Sequence, residues 1–409
     1  MHILLLHQYF LPEHAAGSTR WNELVRHWAN AGHQITILAG SVDYASGKPY
    51  NGKTEMALPA SVRILRARVP ATYQSGTAGR LWAYFGFLIN SLWTGWSATE
   101  HSVHIVVASS PPLTIGLTGW LLAAKSGVPL VLELRDLWPD APIELGFLRH
   151  SLLRWAAYRL EQFLYRKATH LVALTEAFKH VLINQKRMPA KRITVIPNGA
   201  DFSQLQAVQR LFDRDAFRKE HHMEAGFWII YAGAHGPANG LSILLDAADR
   251  LRHTPVRFLL IGDGPEKNAL QHRAFQLKLT NVRFETSRPK KEVLPFILAA
   301  DAGMVIMQPK PLFDTMLSAK LFDYLGCGLP VLTAINGLTR QLLTEAEAGL
   351  FLDPERPETW EGNLKPLLTN PVLHQQYSQQ AIRLATYRFN RSEQAQAYIQ
   401  CLKSCIQNT

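Results

Sequence analysis

The chain has 409 residues, of which 47% are hydrophobic and 18% are charged. This length accommodates two domains, and the composition excludes intrinsic disorder because enough apolar surface is available for burial. The formal charge of +11 at pH 7 points to an anionic partner, either a nucleic acid or a membrane surface. No zinc-finger spacing, RNP-like motif or basic-leucine pattern accompanies this charge, so we predict that the chain binds no nucleic acid.

The cysteines and the amino-terminal segment indicate a compartment. Cys327, Cys401 and Cys405 offer no disulfide framework and no metal-ligand spacing, which predicts a reducing environment. Residues 1–10 begin with a short apolar run and contain neither a basic region nor a cleavage site, so no secretory signal is predicted. Together these features predict a cytoplasmic protein.

Short apolar runs alternate with amphipathic segments in the first half of the chain. Residues 3–6 and 34–38 read as buried strands and residues 20–30 as a helix, which makes an opening βαβ unit. The connecting loop lacks the G-x-G-x-x-G motif, so the main evidence for a dinucleotide-binding oxidoreductase is absent. Gly17 in this loop allows a ligand to approach the backbone at the end of the first strand, although an ordinary tight turn explains it equally well.

Two segments bear on membrane contact. Residues 81–99 carry no charge and include three tryptophans, and they fit a buried helix, a helix in a membrane interface, or a membrane span. Between Arg149 and Arg192, ten Lys and Arg residues face only two acidic residues. This excess, next to the aromatic segment, favours an anionic membrane surface over nucleic acid as the partner.

The strand at residues 130–134 ends in the unusually polar segment E-L-R-D-L-W-P-D. It brings Glu133, Arg135, Asp136 and Trp138 to the carboxyl edge of the predicted sheet, where open α/β sheets bind ligands. Glu133 and Arg135 either pair with each other or with neighbours, or they line an acceptor pocket.

The second half repeats the alternation from residue 228 onward. A glycine-containing loop at residues 233–240 follows the first strand of this half, and the turn 262–265 follows the second. Further on, residues 314–331 predict a helix that begins near Ser318, an N-cap whose following N–H groups favour an anion. Asp323 lies roughly 7–8 Å along that helix, about the distance from a diphosphate to the ribose of one nucleotide. An ordinary amphipathic helix is the alternative.

Two βα-repeating halves predict an α/β protein with two doubly wound, Rossmann-like domains that face each other across a cleft. We place the amino-terminal domain at residues 1–205 and the second domain at 206–385. Residues 386–409 form a final helix that packs back on the first domain.

Several motifs resemble those of the retaining glycosyltransferases of family 4, which have the GT-B fold. The resemblance covers nearly the whole chain and rests on GHQITIL, VIPNGAD, FLLIGDGP and SAKLFDYLGCGLPVL. The phrases SSPPLTIGL, ELRDLWPD and YAGAHGPANGL are similar to bacterial O-antigen and capsule transferases, including those for aminosugars such as fucosamine. This resemblance implies sugar transfer, with retention, from a nucleoside diphosphate donor, expected to be UDP-linked. The donor would bind the second domain and the acceptor the first.

The same resemblance implies roles for individual residues. Asp323 matches the second acid of the E-x7-E motif, which holds the ribose hydroxyls, and residues 318–321 match the diphosphate-binding helix start. The loop after residue 232 lacks the Arg and Lys that clamp the diphosphate in many relatives, so Lys320 is expected to supply this charge, with Arg288 or Lys310 as alternatives. The full prediction assigns catalysis to Asp136, His235 and Lys320, the donor to Gly17, Gly236, Asn239, Gly262, Asp263, Ser318, Leu321 and Asp323, and the acceptor to Glu133, Arg135 and Trp138.

Besides this loop, the sequence departs from the family at two further places. Thr315 stands where the first Glu of E-x7-E belongs, with Asp314 one residue out of register, and Ser109 or Ser110 replaces a histidine that many relatives carry. No D-x-D-type cluster is visible, so neither a metal nor another cofactor is predicted. The expected acceptor is a polyprenyl-diphosphate-linked saccharide on the inner face of the plasma membrane. A UDP-sugar 2-epimerase and a non-catalytic GT-B protein remain as alternatives.

Overall fold

The structure is a computed structural model that describes residues 1–10, 19–43, 47–50, 58–73, 75–98 and 103–407. The chain divides into two compact units. Unit 1 comprises Met1–Pro197 with Ser392–Thr409, and unit 2 comprises Asn198–Arg391.

Unit 1 is built on a seven-stranded sheet in which every neighbouring pair of strands is parallel. Its strands are β1 (His2–Leu6), β2 (Gln34–Gly40), β3 (Val62–Ala67), β4 (Ile105–Ser110), β5 (Leu130–Leu134), β6 (His170–Ala173) and β7 (Ile193–Val195). Its helices before the linker are α1 (Thr19–Asn30), α2 (Gly76–Ala98), α3 (Thr114–Ser126), α4 (Asp140–Glu144), α5 (Ser151–Lys167) and α6 (Glu176–Asn184). The strand order is β3-β2-β1-β4-β5-β6-β7, so the order reverses between β1 and β4.

Unit 2 repeats this design with a six-stranded sheet. Its helices are α7 (Phe202–Gln209), α8 (Arg214–Glu220), α9 (Leu241–Arg250), α10 (Lys267–Gln276), α11 (Lys290–Ala299), α12 (Ala319–Gly326), α13 (Gly337–Glu345), α14 (Trp360–Thr369) and α15 (Pro371–Arg388). Its strands are β8 (Phe227–Ala232), β9 (Val256–Ile261), β10 (Val282–Glu285), β11 (Ala302–Val305), β12 (Val331–Thr333) and β13 (Gly349–Phe351), in the order β10-β9-β8-β11-β12-β13. The order reverses between β8 and β11, which is where ligands bind in such sheets.

These two sheets confirm the prediction of two doubly wound, Rossmann-like α/β domains. Their central strands are continuous apolar runs because helices cover both faces. In β1, Ile3, Leu4, Leu5 and Leu6 have no exposed surface, and Leu259 and Leu260 of β9 are equally buried. The predicted strands and helices that flank the candidate site therefore form as expected. The carboxyl ends of the strands bring the site residues to one edge of each sheet.

The carboxyl-terminal segment contains two helices, and the second corresponds to the final helix predicted at residues 386–409. Helix α15 ends at Arg388, and α16 (Arg391–Gln407) begins after a break at Phe389 and Asn390. Helix α16 packs into the core of unit 1, where the ring of Tyr398 lies 5.8 Å from that of Trp21 and 5.2 Å from that of Trp28.

The units divide at Pro197 and Arg391, a few residues away from the predicted boundaries at 205 and 385. The reason lies in the segment after Pro197, which is already part of unit 2. Ala200 donates its N–H to the carbonyl of Phe389 at 2.8 Å and accepts from the N–H of Arg391 at 3.0 Å. Leu205 belongs to the core of unit 2, so α7 cannot be assigned to the first domain.

The uncharged segment at residues 81–99 lies within α2 over most of its length. One face of α2 is buried: Ala83, Phe87 and Ser91 have no exposed surface, and Gly95 packs against Leu122 of α3. Among the described residues, no helix is both long and apolar enough to cross a membrane.

Candidate active site

Two loops of unit 2 are joined backbone to backbone at the carboxyl ends of β8 and β9. The N–H of His235 donates to the carbonyl of Asp263 at 3.0 Å, and the N–H of Glu266 donates to the carbonyl of His235 at 3.0 Å. Gly262 has φ +155°, and a Cβ at this position would overlap the carbonyl oxygen of Gly233. The G-D-G-P turn therefore needs glycine for this close approach, which fixes the loop that carries His235.

The side chain of His235 lies beneath this pair of loops. It has no exposed surface, and neither ring nitrogen has a hydrogen-bond partner among the described residues. Its ring centroid lies 6.0 Å from that of Tyr231 and 6.2 Å from that of Phe284. Burial, with the nearby charge of Lys267, lowers the pKa of His235 to about 4, so the imidazole is neutral at pH 7.

Lys320 reaches the same place from the first turn of α12. Its Nζ lies 3.4 Å from the hydroxyl of Tyr231, and a Cβ on Gly233 would lie 2.8 Å from its Cε. Burial lowers the pKa of Lys320 to about 8, so most molecules carry its positive charge at pH 7. The predicted cation therefore lies beside the glycine loop at the end of β8.

Helix α12 begins where the sequence predicts, with Ser318 at the N-cap, but two details differ from the prediction. The Ser318 side chain makes no capping hydrogen bond. The Leu321 side chain is fully buried in the core of unit 2, and its N–H donates to the carbonyl of Ser318 at 3.1 Å. Leu321 is thus a core residue and not a donor contact. The helix is held against β8 because the N–H of Ala232 donates to the hydroxyl of Tyr324 at 2.8 Å.

Asp323, the predicted ribose ligand, forms an ion pair that the sequence did not reveal. Its Oδ1 lies 2.6 Å from Nζ of Lys290, the first residue of α11. The partly buried carboxylate therefore has a cation beside it. Lys290 stands in the polar segment after β10, but no pattern in that segment distinguished it from its neighbour Lys291.

The other predicted donor residues form local contacts. Asp263 accepts from Nζ of Lys267 and from the N–H of Ser287, each at 2.7 Å; burial raises the pKa of Asp263, but these bonds more than offset it and hold the pKa below its usual range. Asn239 directs its amide to the carbonyl of Gly236 at 3.5 Å. The alternative cation Arg288 is paired with Glu285 at 3.1 Å.

The position of the missing acid in the E-x7-E pattern is a short 3-10 turn, Pro311–Thr315. Thr315 donates its hydroxyl to the carbonyl of Leu312 at 2.9 Å. Asp314 is partly buried beside Gly337, and burial raises the pKa of its carboxyl group. Thr315, the position where the first acid is expected, thus ends this turn with its hydroxyl bonded to the backbone.

In unit 1, Glu133 follows the first of the two alternatives, an internal pair. It is completely buried, and its Oε2 accepts from Nη2 of Arg20 at 2.9 Å while its Oε1 accepts from the Ser109 hydroxyl at 3.1 Å. Arg20 also donates to the carbonyls of Ile196 at 2.9 Å and Pro197 at 2.6 Å. Glu133 therefore holds Arg20 against the backbone of Ile196 and Pro197, and its fully buried carboxylate presents no surface to an acceptor.

Arg135, Asp136 and Trp138 remain together at the carboxyl end of β5. Nη1 of Arg135 lies 3.3 Å from Nε2 of His7, which follows β1. Burial raises the pKa of the Asp136 carboxyl, and Arg135 opposes this effect only in part. The ring of Trp138 meets that of Tyr84 on α2, edge to face, at 6.0 Å. Gly17, the remaining predicted residue, lies outside the described residues.

Within the described part of the chain, no group of three or more His, Cys, Asp or Glu side chains is arranged to hold a metal ion. The polar groups at the edge of the unit 2 sheet are instead a neutral imidazole, an ammonium and a carboxylate paired with a lysine. This set suits an anionic ligand with hydroxyl groups, because cations and N–H groups contact the anion and the carboxylate accepts from the hydroxyls.

Family models match both halves of the chain. Residues 16–199 match the glycosyl transferase 4-like domain, and residues 213–384 match the glycosyl transferases group 1 domain. WcaI of Escherichia coli K12, a glycosyl transferase attributed to colanic acid biosynthesis, is 25% identical over 381 residues, which cover 91% of this chain and 93% of that protein.

Solved structures agree on the fold. A sucrose-phosphate synthase of Thermosynechococcus elongatus, 14% identical, superposes over 100% of both chains with a TM-score of 0.78. HepE of Anabaena in complex with UDP, 17% identical, superposes with a TM-score of 0.70 over 99% of this chain and 100% of its own. The fold and the matched domains define a glycosyltransferase of the GT-B type. Each half of the chain thus matches one glycosyltransferase domain, a glycosyl transferase 4-like domain in the first half and a group 1 domain in the second.

Proposed function

We propose that this enzyme transfers a sugar, such as an N-acetylated aminosugar, from a UDP-linked donor to a lipid-linked saccharide during cell-surface polysaccharide assembly. The observation that carries the proposal is the position of Lys320, whose ammonium lies at the glycine loop after β8 and in the first turn of α12. HepE, which has the same fold, is described in complex with UDP, and WcaI is attributed to the biosynthesis of a polysaccharide.

The leaving group in this reaction is a nucleoside diphosphate, so catalysis consists mainly of stabilising charge on phosphate oxygens. Lys320 and the N–H groups at the start of α12 supply positive charge where a diphosphate would lie. Although His235 has no exposed surface, both of its ring nitrogens lack a partner among the described residues, and we propose that this neutral imidazole hydrogen-bonds the transferred sugar without adding charge. We propose that no metal ion is required, so activity should withstand EDTA.

The acceptor half of the reaction is assigned to unit 1. Asp136 has no hydrogen-bond or ion-pair partner among the described residues, and burial raises its pKa, which makes it a stronger base than an exposed aspartate. We assign it to the acceptor hydroxyl, with Arg135 and Trp138 beside it. The configuration at the anomeric carbon is retained if the acceptor attacks the face from which the diphosphate departs. Asp136 or an oxygen of the leaving diphosphate then takes the proton of the acceptor hydroxyl.

An anionic membrane surface is the proposed location of the acceptor. Trp82, Phe85, Ile89, Trp93 and Trp96 recur on a single face of α2 and are exposed, Trp93 by 79%. A stripe of this kind is typical of a helix that lies in the membrane interface. Another face of the same helix is buried, so α2 has one packed face and one exposed aromatic face, and this arrangement supports the proposal of an interfacial helix.

Basic side chains accompany this aromatic stripe. Nζ of Lys125 on α3 lies 4.1 Å from the centroid of a Trp96 ring, and Arg159 on α5 stacks over the exposed Trp155 at 5.5 Å. Each Lys or Arg near an anionic surface contributes about 1 kcal/mol to binding. The combination supports a peripheral enzyme on the inner face of the plasma membrane, with a polyprenyl-diphosphate-linked saccharide as acceptor.

The reaction is tested by incubating the purified enzyme with UDP-, GDP- and TDP-sugars, with and without a polyprenyl-diphosphate saccharide, and by measuring nucleotide release and product. We expect release from one donor class only when the acceptor is present, and none from Asp323→Ala. Turnover of a UDP-sugar without any acceptor would identify an epimerase instead, and no turnover by the parent would favour a non-catalytic protein.

Membrane docking is tested separately by sedimentation with vesicles of anionic or neutral lipid. Trp82→Ser/Trp93→Ser should lose binding to anionic vesicles at low salt, while Phe275→Ser, which removes an exposed aromatic residue of unit 2, should bind like the parent. Equal binding by the parent and the tryptophan variant would contradict the assigned surface.

A further inference from the structure

Lys290 is the residue of the candidate donor site that no motif predicted. It opens α11, directly after the polar segment that follows β10, and its side chain is only 9% exposed. Its Nζ lies 2.6 Å from Oδ1 of Asp323 on α12. Lys291, the next residue, is exposed and forms no ion pair with any other described residue, so the contact with Asp323 is specific to one of two adjacent lysines.

Asp323 has two potential effects on a bound nucleotide diphosphate. Its carboxylate can accept hydrogen bonds from the ribose hydroxyls, but its negative charge repels the diphosphate at the start of the same helix, which begins four residues before it at Ala319. A cation in contact with the carboxylate removes most of this repulsion while it leaves lone pairs on the oxygens for hydroxyl donors.

We propose that Lys290 is a positioning and specificity residue for the donor nucleotide, which orients Asp323 toward the ribose hydroxyls and compensates its charge. This inference rests on the proposed function, since it requires the nucleotide to bind at α12. Lys290 acts through Asp323, so its loss weakens the binding of the donor and the recognition of the ribose more than it slows the chemical step.

A structural role is the competing explanation, because a partly buried ion pair between α11 and α12 also joins two elements of unit 2. The two roles predict different results. A structural pair changes the unfolding midpoint and leaves the preference for ribose over deoxyribose intact. A positioning pair changes that preference, and its effect disappears when Asp323 is already neutral.

The experiment measures the Kd of UDP and of 2′-deoxy-UDP by calorimetry for the full chain and for Lys290→Met, Lys290→Arg, Asp323→Asn and the double variant Lys290→Met/Asp323→Asn. Lys291→Met is the matched control. We expect Lys290→Met to raise the Kd of UDP about tenfold and to reduce the discrimination against 2′-deoxy-UDP, and we expect Lys290→Arg to restore both. In kinetics, Lys290→Met should raise the KM of the donor with little change in kcat.

The double variant decides how the residue acts. If Lys290 works through Asp323, Lys290→Met/Asp323→Asn binds UDP no more weakly than Asp323→Asn alone, and Lys291→Met binds like the parent. The inference is overturned if Lys290→Met keeps the parent's Kd and its deoxyribose discrimination, even when its unfolding midpoint falls. Failure of the parent to bind UDP, GDP or TDP would overturn the proposed function together with this inference.

Discussion

Lys320 and Tyr231 form a cation–aromatic pair, with Nζ of the lysine 4.5 Å from the centroid of the tyrosine ring and 3.4 Å from its hydroxyl. The pair joins the first turn of α12 to the end of β8. An ammonium over an aromatic face is stabilised by the ring, yet burial still lowers its pKa. Lys320 therefore keeps its charge at pH 7 and loses it at a pH that experiments can reach.

We therefore predict that donor binding depends on the charge of Lys320. Because its pKa is about 8, the affinity for UDP should fall as the pH rises through 8, and a bound diphosphate should shift this midpoint upward. Lys320→Arg stays charged, so its affinity should be nearly independent of pH between 7 and 9, as titration calorimetry would show. A parent whose affinity does not change across this range would contradict the assignment.

Substitution of His235 should separate stability from activity. His235→Phe removes two buried nitrogens that have no partner, each costing about 1–3 kcal/mol when left unsatisfied, and should match or exceed the parent in urea unfolding at pH 7. Transfer activity should fall if the imidazole contacts the donor sugar. Unchanged activity would limit His235 to a packing role.

The same side chain predicts how stability changes with acid. The folded-state pKa of His235, about 4, lies below the unfolded value near 6.5, so the unfolded state binds more protons between these limits. The parent should lose stability as the pH falls from 6.5 towards 4, and His235→Phe should lose less over the same interval. Parallel curves for the two proteins would show that another group is responsible.

Asp136 should control the acidic limb of the rate profile. As a base it must be ionised, and burial raises its pKa, so kcat/KM should decline at a higher pH than an ordinary aspartate would produce. Asp136→Asn should lower kcat by about 100-fold or more, within the usual range for a general base, with little change in UDP affinity. Stopped assays from pH 4 to 8 on the parent and on the variant test both statements.

The buried pair between Arg20 and Glu133 predicts a large effect on stability. Arg20→Met leaves the Glu133 carboxylate without its cation, which should lower the free energy of unfolding by about 3–5 kcal/mol. The double variant Arg20→Met/Glu133→Leu should be less destabilised than the sum of the two single changes. Urea unfolding of all four proteins completes the cycle, and simple additivity would indicate that the pair contributes little.

Gly262 and Gly362 offer a matched pair of glycine substitutions. Gly262→Ala places a Cβ against the carbonyl oxygen of Gly233 and should abolish UDP binding, since the two loops must separate. Gly362 is exposed inside α14 with open space around its Cα, so Gly362→Ala should stabilise the protein by about 0.5–1 kcal/mol. Binding and thermal unfolding of both variants test the requirement for a close approach at Gly262.

Most of the architecture could be predicted because buried parallel strands are short apolar runs that stand between helices. β3 escaped detection, since its segment V-R-I-L-R-A carries two arginines at a sheet edge and has no continuous apolar run. The break between α15 and α16 was missed because Phe389 and Asn390 include neither Gly nor Pro.

The candidate site was less predictable, because sequence spacing does not show which distant charges meet. The helix start at Ser318 and the glycine turn at Gly262 follow local sequence patterns, and Lys320 was expected from the resemblance to family 4 glycosyltransferases. The partner of Glu133 could not be named from the sequence, since Arg20 lies 113 residues away. Lys290 was missed for the same reason. Its contact with Asp323 joins α11 to α12, and the strands that precede these helices, β10 and β11, are separated in the sheet by β9 and β8.

The packing of α16 against Trp21 and Trp28 has a consequence for the order in which the protein forms. The ring nitrogen of Trp28 donates to the carbonyl of Ala395 at 3.2 Å, so a segment made after all of unit 2 completes the core of the unit made first. A nascent chain that has just left the ribosome up to Pro197 would still expose both tryptophans. Unit 1 thus begins to fold first and finishes last, because its core is complete only after α16 has been translated.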